Sequence, residues 1–205
     1  MDSMGDRGEN RSVQFFDTQF QRQVREQDYA LNPFETRALA YLKSSVLDFG
    51  CGLGNLSLEA ARRGHPVVAV DASPSAIARI TADARRESLP IEAIQADIST
   101  WKLDRNYDSI VAIGLLMFFR RNQALQLLQD IQNHMNPGGR AIVNVLIEGT
   151  TFMGMFDGDN YCLFGLTELE DLFDGWTILS SLRETFTAPE ATRKEFATVI
   201  AEKGR

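Results

Sequence analysis

The stretch 44-SSVLDFGCGLGNLSLEAARRGHPVVAVDASPSAIARI-80 decides the fold. An apolar run at 46–49 leads into three closely spaced glycines, Gly50, Gly52 and Gly54. A helical pattern follows over 55–63, and a second apolar run, 67–70, ends on a lone acid, Asp71. Glycine adds backbone entropy to the unfolded chain, so clustered glycines weaken ordinary structure. They are useful where backbone must approach a ligand closely. A strand, a glycine-rich turn and a helix together make such a cradle, with free N–H groups and a positive dipole end at the helix start. The acid closing the second strand stands where a carboxylate can accept both hydroxyls of a ribose. The stretch therefore predicts a seat for an adenosine-containing cofactor.

Outward from this stretch, strand and helix periods alternate. Ser73 and Pro74 open a helix as capping residue and first-turn proline, with Ile77, Ile80 and Ala84 on its buried face. Segments 91–96 and 109–113 read as the third and fourth strands. Leu125, Leu128, Ile131 and Met135 mark another helix, ended by "NPGG" at 136–139, and 141–147 supplies a fifth strand. Near-continuous apolar strands separated by amphipathic helices predict a parallel sheet covered on both faces. Beyond it lies a Gly/Phe/Met-rich insert, 149–165, of the kind that forms a mobile cover over a small substrate. A short helix then begins at Thr167, with Glu170 placed for a capping box. "WTILSSL" and "EFATVIA", joined by the short "TAPEATR", must pair antiparallel, because a parallel crossover needs a dozen or more residues. At the other end, residues 1–12 read as a disordered tail and 13–43 as a helical lid segment, in which Asn32 caps a helix with Pro33 at its first position. The main domain is 44–205.

Composition narrows the function classes. A net charge of -7 argues against a dedicated nucleic-acid binder, which needs surplus Lys and Arg to neutralise phosphates. No apolar run approaches the ~18 residues of a membrane span, and the polar N-terminus lacks a signal-peptide core. Two cysteines and two histidines make neither a disulfide framework nor a metal site. A cytoplasmic, metal-free protein is the expectation.

The glycine spacing discriminates between adenosine cofactors. A dinucleotide fingerprint, Gly-x-Gly-x-x-Gly, would require glycine where Asn55 stands. What is present is Asp48-Phe49-Gly50-Cys51-Gly52-Leu53-Gly54, an acid two residues before Gly-x-Gly-x-Gly. This resembles the first motif of class I S-adenosylmethionine-dependent methyltransferases. Asp71 with Ala72 matches the acidic second motif, "QADI" ending in Asp97-Ile98 the third, "YDSIVAIGLLMFF" the fourth-strand motif, and "NPGGRAIVNV" the turn into strand five. The resemblance covers about residues 40–147. It implies an α/β, Rossmann-like class I methyltransferase fold: a mostly parallel seven-stranded sheet, helices on both faces and a C-terminal antiparallel hairpin. It also implies S-adenosylmethionine as cofactor. In that reading Gly50, Cys51, Gly52 and Gly54 admit the methionine tail and Asp48 attracts its ammonium. Asp71 takes the ribose hydroxyls, Ala72 and Ile98 sandwich the adenine, and Asp97 accepts from its amino group. Ile113, Gly114 and Leu115 lie beside the sulfonium, while Tyr29, with Arg25, closes over the cofactor.

More narrowly, "LLMFF", "FGLTELEDLFDGWTIL" and "EFATVIAEK" resemble the tellurite-resistance methyltransferase group. That group's tellurite-reducing members carry a histidine-arginine pair and an acid near the substrate pocket. Here "RETFTAPEATR" has no histidine and "IEGTTF" no aspartate, so the likeness implies the fold rather than that activity. Candidate substrate residues are Phe118, Phe119, Arg183 and the segment 148–156; no general base is assigned. A small-molecule acceptor is expected. The alternatives are a non-catalytic S-adenosylmethionine-binding module and a Rossmann-type nicotinamide oxidoreductase.

Overall fold

The computed structural model describes residues 11–205. Most of the expected tail lies outside the described residues, but Arg11 and Ser12 stand in the first helix, α1 (Arg11–Glu26). Ser12 is buried there, its Oγ donating to Met155 O at 3.2 Å. The helical segment expected over 13–43 is two helices. Gln27, at φ 54°, turns the chain out of α1. Asn32 then starts α2 (Pro33–Leu39) with a complete capping box: its Oδ1 accepts from Glu35 N at 2.9 Å, and its N–H donates to Glu35 Oε2 at 2.8 Å.

The alternation that follows is the expected one. It runs β1 (Val46–Phe49), α3 (Asn55–Arg62), β2 (Val67–Asp71), α4 (Pro74–Glu87), β3 (Ile91–Gln95) and β4 (Tyr107–Ile113). A 3₁₀ turn (Leu116–Phe118) then leads into α5 (Arg121–Asn133), β5 (Met135–Leu146), α6 (Glu168–Asp171), β6 (Thr177–Thr187) and β7 (Arg193–Glu202). Among the described residues the seven strands form one sheet in the order β3-β2-β1-β4-β5-β7-β6. The first five are parallel, and β7 runs antiparallel between β5 and β6. Strand residues alternate between two cores, as a period of two demands. Leu47, Phe49, Val68, Val70 and Ile110 pack on the α5 side. Val46, Val67, Ala69 and Val111 pack with Leu56 and Ile80 on the α3/α4 side. Each fully buried Leu, Ile or Val contributes ~1.5–3 kcal/mol of transfer free energy.

Two local expectations fail for identifiable reasons. Met135 is not the last buried residue of α5 but the first of β5, paired with Tyr107. The register then jumps to Ser109 opposite Arg140, so "NPGG" is an extruded bulge within the strand rather than a helix stop. Pro137 has no N–H to give a ladder, and Gly138 takes φ 72°. At α6 no capping box forms: Thr167 is in helical rather than extended conformation, and its hydroxyl donates to Asp171 Oδ2 at 3.1 Å. Glu168 instead reaches back, its Oε2 accepting from Gly165 N at 2.7 Å.

Candidate functional site

Strand order reverses between β1 and β4, the place where open α/β sheets bind ligands beyond their carboxyl ends. A cavity of about 360 Å³ lies there. Its floor consists of the loops after β1, β2, β3 and β4, and its roof is α1. Of the residues singled out from sequence, Asp48, Gly50, Cys51, Gly52, Asp71, Ala72, Asp97, Ile98, Ile113, Gly114, Leu115, Phe118 and Phe119 all line it.

The cradle is built on left-handed backbone. Gly50 has φ 76° and Gly52 φ 51°, and a Cβ at Gly50 would stand 2.8 Å from Leu115 Cδ1. Only glycine adopts this conformation without strain. The N–H groups of the loop are already donated within the protein. Gly50 N and Cys51 N both reach Val70 O, at 2.8 and 3.0 Å, and Gly54 N reaches Cys51 O at 2.9 Å. Gly52 N donates to Asp71 Oδ2 at 2.8 Å. At these four positions the cradle offers close approach and carboxyl oxygens rather than open amides.

Asp48, within β1, is 5% exposed, and its Oδ2 accepts from Ser57 Oγ at 2.6 Å. Burial pushes its carboxyl up to about 7. The Ser57 bond opposes that rise, and the Glu35 and Asp71 carboxyls add to it. Asp71 closes β2, with Oδ1 accepting from Ser73 N and Oδ2 from Gly52 N, both at 2.8 Å. Burial raises its pKa against these backbone bonds. The Ala72 N–H also bonds this carboxyl, and with two acceptor sites on each oxygen capacity remains for a ribose hydroxyl. Asp97 is exposed, and its Oδ1 accepts from the N–H and Oγ of Ser99 at 2.9 and 2.6 Å. Cys51 is buried and its thiol pushed well up by that burial, which rules against a thiolate nucleophile.

Three expected residues lie elsewhere. Gly54 precedes α3 at φ 69°, and a Cβ there would come within 2.4 Å of Ile80 Cγ1. Its glycine serves helix packing, not the cavity wall. Tyr29 points away: its ring lies 3.8 Å from the Arg79 guanidinium carbon, and its hydroxyl donates to Val24 O. Arg183 is exposed on β6, the edge strand at the antiparallel end of the sheet. The insert 149–165 does not line the cavity. Met155, Phe156, Cys162 and Phe164 are buried, and Phe156 stands behind Phe118 with ring centroids 5.2 Å apart.

Sequence reasoning placed a helical lid segment over 13–43 but named neither the residues of α1 that line the cavity nor Glu35. Val13, Phe16, Gln19, Phe20 and Gln23 of α1 line the cavity, and so does Glu35. The spacing 13, 16, 20, 23 is one helical face, and this was the available signal. Phe16 meets Phe118 edge-on at 5.0 Å, and a Cβ at Gly52 would stand 3.1 Å from Phe20 Cζ. Beside the start of α4, α1 is tied down by Asp17, whose Oδ1 accepts from Ser73 Oγ at 2.5 Å.

Residues 46–139 match the family model of a methyltransferase domain. Hemagglutinin 1 of Eikenella corrodens is 30% identical over 168 residues, covering 77% of this chain and 54% of that protein. A probable S-adenosyl-L-methionine-dependent methyltransferase, TehB, of Haemophilus influenzae (strain 10810) is 28% identical over 170 residues, covering 77% of this chain and 57% of its own length. The chain thus spans little more than half of these curated relatives. The crystal structure of TehB from Haemophilus influenzae superposes with TM-score 0.74 at 23% identity, over 85% of this chain and 63% of that one. The N-methyltransferase NodS of Bradyrhizobium japonicum WM9, solved with S-adenosyl-L-homocysteine, gives 0.73 at 16% identity, over 96% of this chain and all of NodS (100%). The matched domain, the strand order with its antiparallel end and the acid-flanked glycine cradle agree: residues 46–139 form a methyltransferase domain, and the chain is similar to class I S-adenosylmethionine-dependent methyltransferases close to the tellurite-resistance methyltransferase-like group.

Proposed function

We propose that this chain transfers the methyl group of S-adenosylmethionine to a small-molecule acceptor. The observation that carries the reading is one cavity that joins the left-handed Gly50–Gly52 backbone, the buried Asp48 and the doubly anchored Asp71. The residues fit the cofactor: a Cβ would fill the cradle, and the buried carboxyls suit an ammonium and a ribose. Asp48 would hold the ammonium, Asp71 the ribose hydroxyls, Asp97 and Ile98 the adenine, and Gly114 and Leu115 the sulfonium end. When bound, the cofactor supplies an activated methyl on a sulfonium whose leaving group is a neutral thioether. The protein therefore needs no general acid. Its task is alignment and exclusion of water, and alignment can contribute up to ~7–11 kcal/mol. Phe16, Phe20, Phe118 and Phe119 are placed to keep the acceptor end dry.

Calorimetry with S-adenosylhomocysteine, followed by labelled methyl transfer to a panel of small acceptors, tests this. A folded sample that binds neither cofactor nor its demethylated product would refute it. Binding without turnover across a broad panel would favour a non-catalytic binding module. Preferential binding of a nicotinamide cofactor would favour an oxidoreductase.

A further inference from the structure

Resting on that reading, we infer that the acceptor is an uncharged lone-pair nucleophile, an amine on an apolar body, whose nitrogen takes up the positive charge as the methyl arrives. Every charged side chain described on the cavity wall is a carboxyl: Glu35, Asp48, Asp71 and Asp97. Several of the amides that an anion would seek are already donated within the protein. Those of the glycine loop serve Val70, Asp71 and Cys51; Gly114 N donates to Asn144 O at 3.0 Å, and Phe118 N to Leu115 O at 3.0 Å. The Ser73 hydroxyl is given to Asp17. What faces the acceptor end is phenyl surface, with Phe16 edge-on to Phe118 and Phe118 backed by Phe156.

Aromatic faces and carboxylates attract cations and disfavour anions. The charge changes of the candidate reactions then differ. An amine's lone pair forms the bond to the methyl carbon as the carbon–sulfur bond breaks. Sulfur keeps the bonding pair and leaves as a neutral thioether, and the positive charge passes to nitrogen. A primary or secondary amine then loses its proton to water; a tertiary amine stays quaternary. The positive charge thus passes from sulfur to nitrogen beside the Phe118 ring, and leaves with the released proton or with the quaternary product. An oxyanion acceptor would instead have to enter this wall as an anion.

The test uses the full chain and labelled S-adenosylmethionine, with benzylamine, N-methylbenzylamine, phenol, benzoate, selenite and tellurite as acceptors and benzyltrimethylammonium as inhibitor. The amines are expected to turn over, faster as pH rises towards their own pKa. The quaternary ammonium is expected to inhibit competitively against the amine. Phe118→Ala should weaken that inhibition about 5-fold, and Phe118→Trp should restore it, which a merely structural role would not produce. Turnover of an oxyanion, phenol or carboxylate in preference to the amines, no turnover of any amine, or no inhibition by the quaternary ammonium would overturn the inference while S-adenosylhomocysteine still binds. Failure of S-adenosylhomocysteine to bind would instead remove the methyltransferase reading beneath it.

Discussion

Asp48→Asn is the substitution whose consequences can be worked furthest. The wild-type carboxyl moves from an ordinary 3.8 to about 7 in the folded protein, chiefly by burial. Between those values the native state binds more protons than the unfolded chain, so this group's contribution to stability falls as pH rises from about 4 to about 7 and is flat above. The full difference corresponds to about 4 kcal/mol, an order-of-magnitude figure. Asparagine keeps the shape and can still bond Ser57, but it carries no charge to desolvate. The variant without ligand should therefore be more stable than wild type at pH 8, by up to ~4 kcal/mol, and nearly equal to it at pH 4.

A ligand ammonium beside Asp48 would reverse the balance, stabilising the carboxylate and drawing its pKa down. Binding of S-adenosylhomocysteine near pH 6 should then release up to about one proton, and affinity should rise with pH until about 7. The assay is calorimetry in two buffers of different ionisation enthalpy, with denaturant unfolding of both proteins from pH 4 to 8. In Asp48→Asn the proton release should vanish and affinity should fall. Equal stability profiles for the two proteins would refute the burial argument. Unchanged proton release in the variant would show that the ammonium does not sit at Asp48.

Asp71→Ala should weaken S-adenosylhomocysteine binding by at least ~1.5–3 kcal/mol, through the ribose contact and the loosened Gly52 and Ser73 anchors; titration calorimetry reads this, and unchanged affinity would contradict the assignment. Gly54→Ala should destabilise by ~2–5 kcal/mol, combining left-handed strain with a contact that Ile80 cannot yield. In a double-mutant cycle by chemical denaturation, Gly54→Ala with Ile80→Ala should cost at least ~1 kcal/mol less than the sum of the singles, and strict additivity would locate the strain elsewhere. Asp17→Asn should loosen α1 without unfolding the sheet: amide exchange should quicken over 13–24 and not over β1 or β4, and equal exchange would show that the Ser73 bond does not hold the roof.

Much of the site was legible because its signals are local. The acid-x-Gly-x-Gly-x-Gly run names a strand end and a bend that only glycine can make. Ser73-Pro74 names a helix start, which the structure confirms with Ser73 Oγ accepting from Ala76 N at 3.1 Å. Asp71 follows from the length of the intervening helix. Local signals misled where a neighbour outcompeted them. Thr167 gave its hydroxyl to Asp171, and Met135 found a better partner in Tyr107 than in another turn of α5.

The order of strands and helices, the parallel sheet with its antiparallel end and the cradle were determined by periodicity and by residues whose backbone preferences act over a few positions. Which side chains meet across the cavity was decided only by the tertiary structure. Val13, Phe16 and Phe20 become a roof because Asp17 finds Ser73 and Ser12 finds Met155, partners 56 and 143 residues away. Arg183 is excluded because β6 took the sheet's outer edge. The amides of Gly50, Cys51 and Gly52 are spent because Val70 and Asp71 of the adjacent strand stand in register with them. Such pairings depend on how packed elements are set against one another, and no spacing along one segment encodes that.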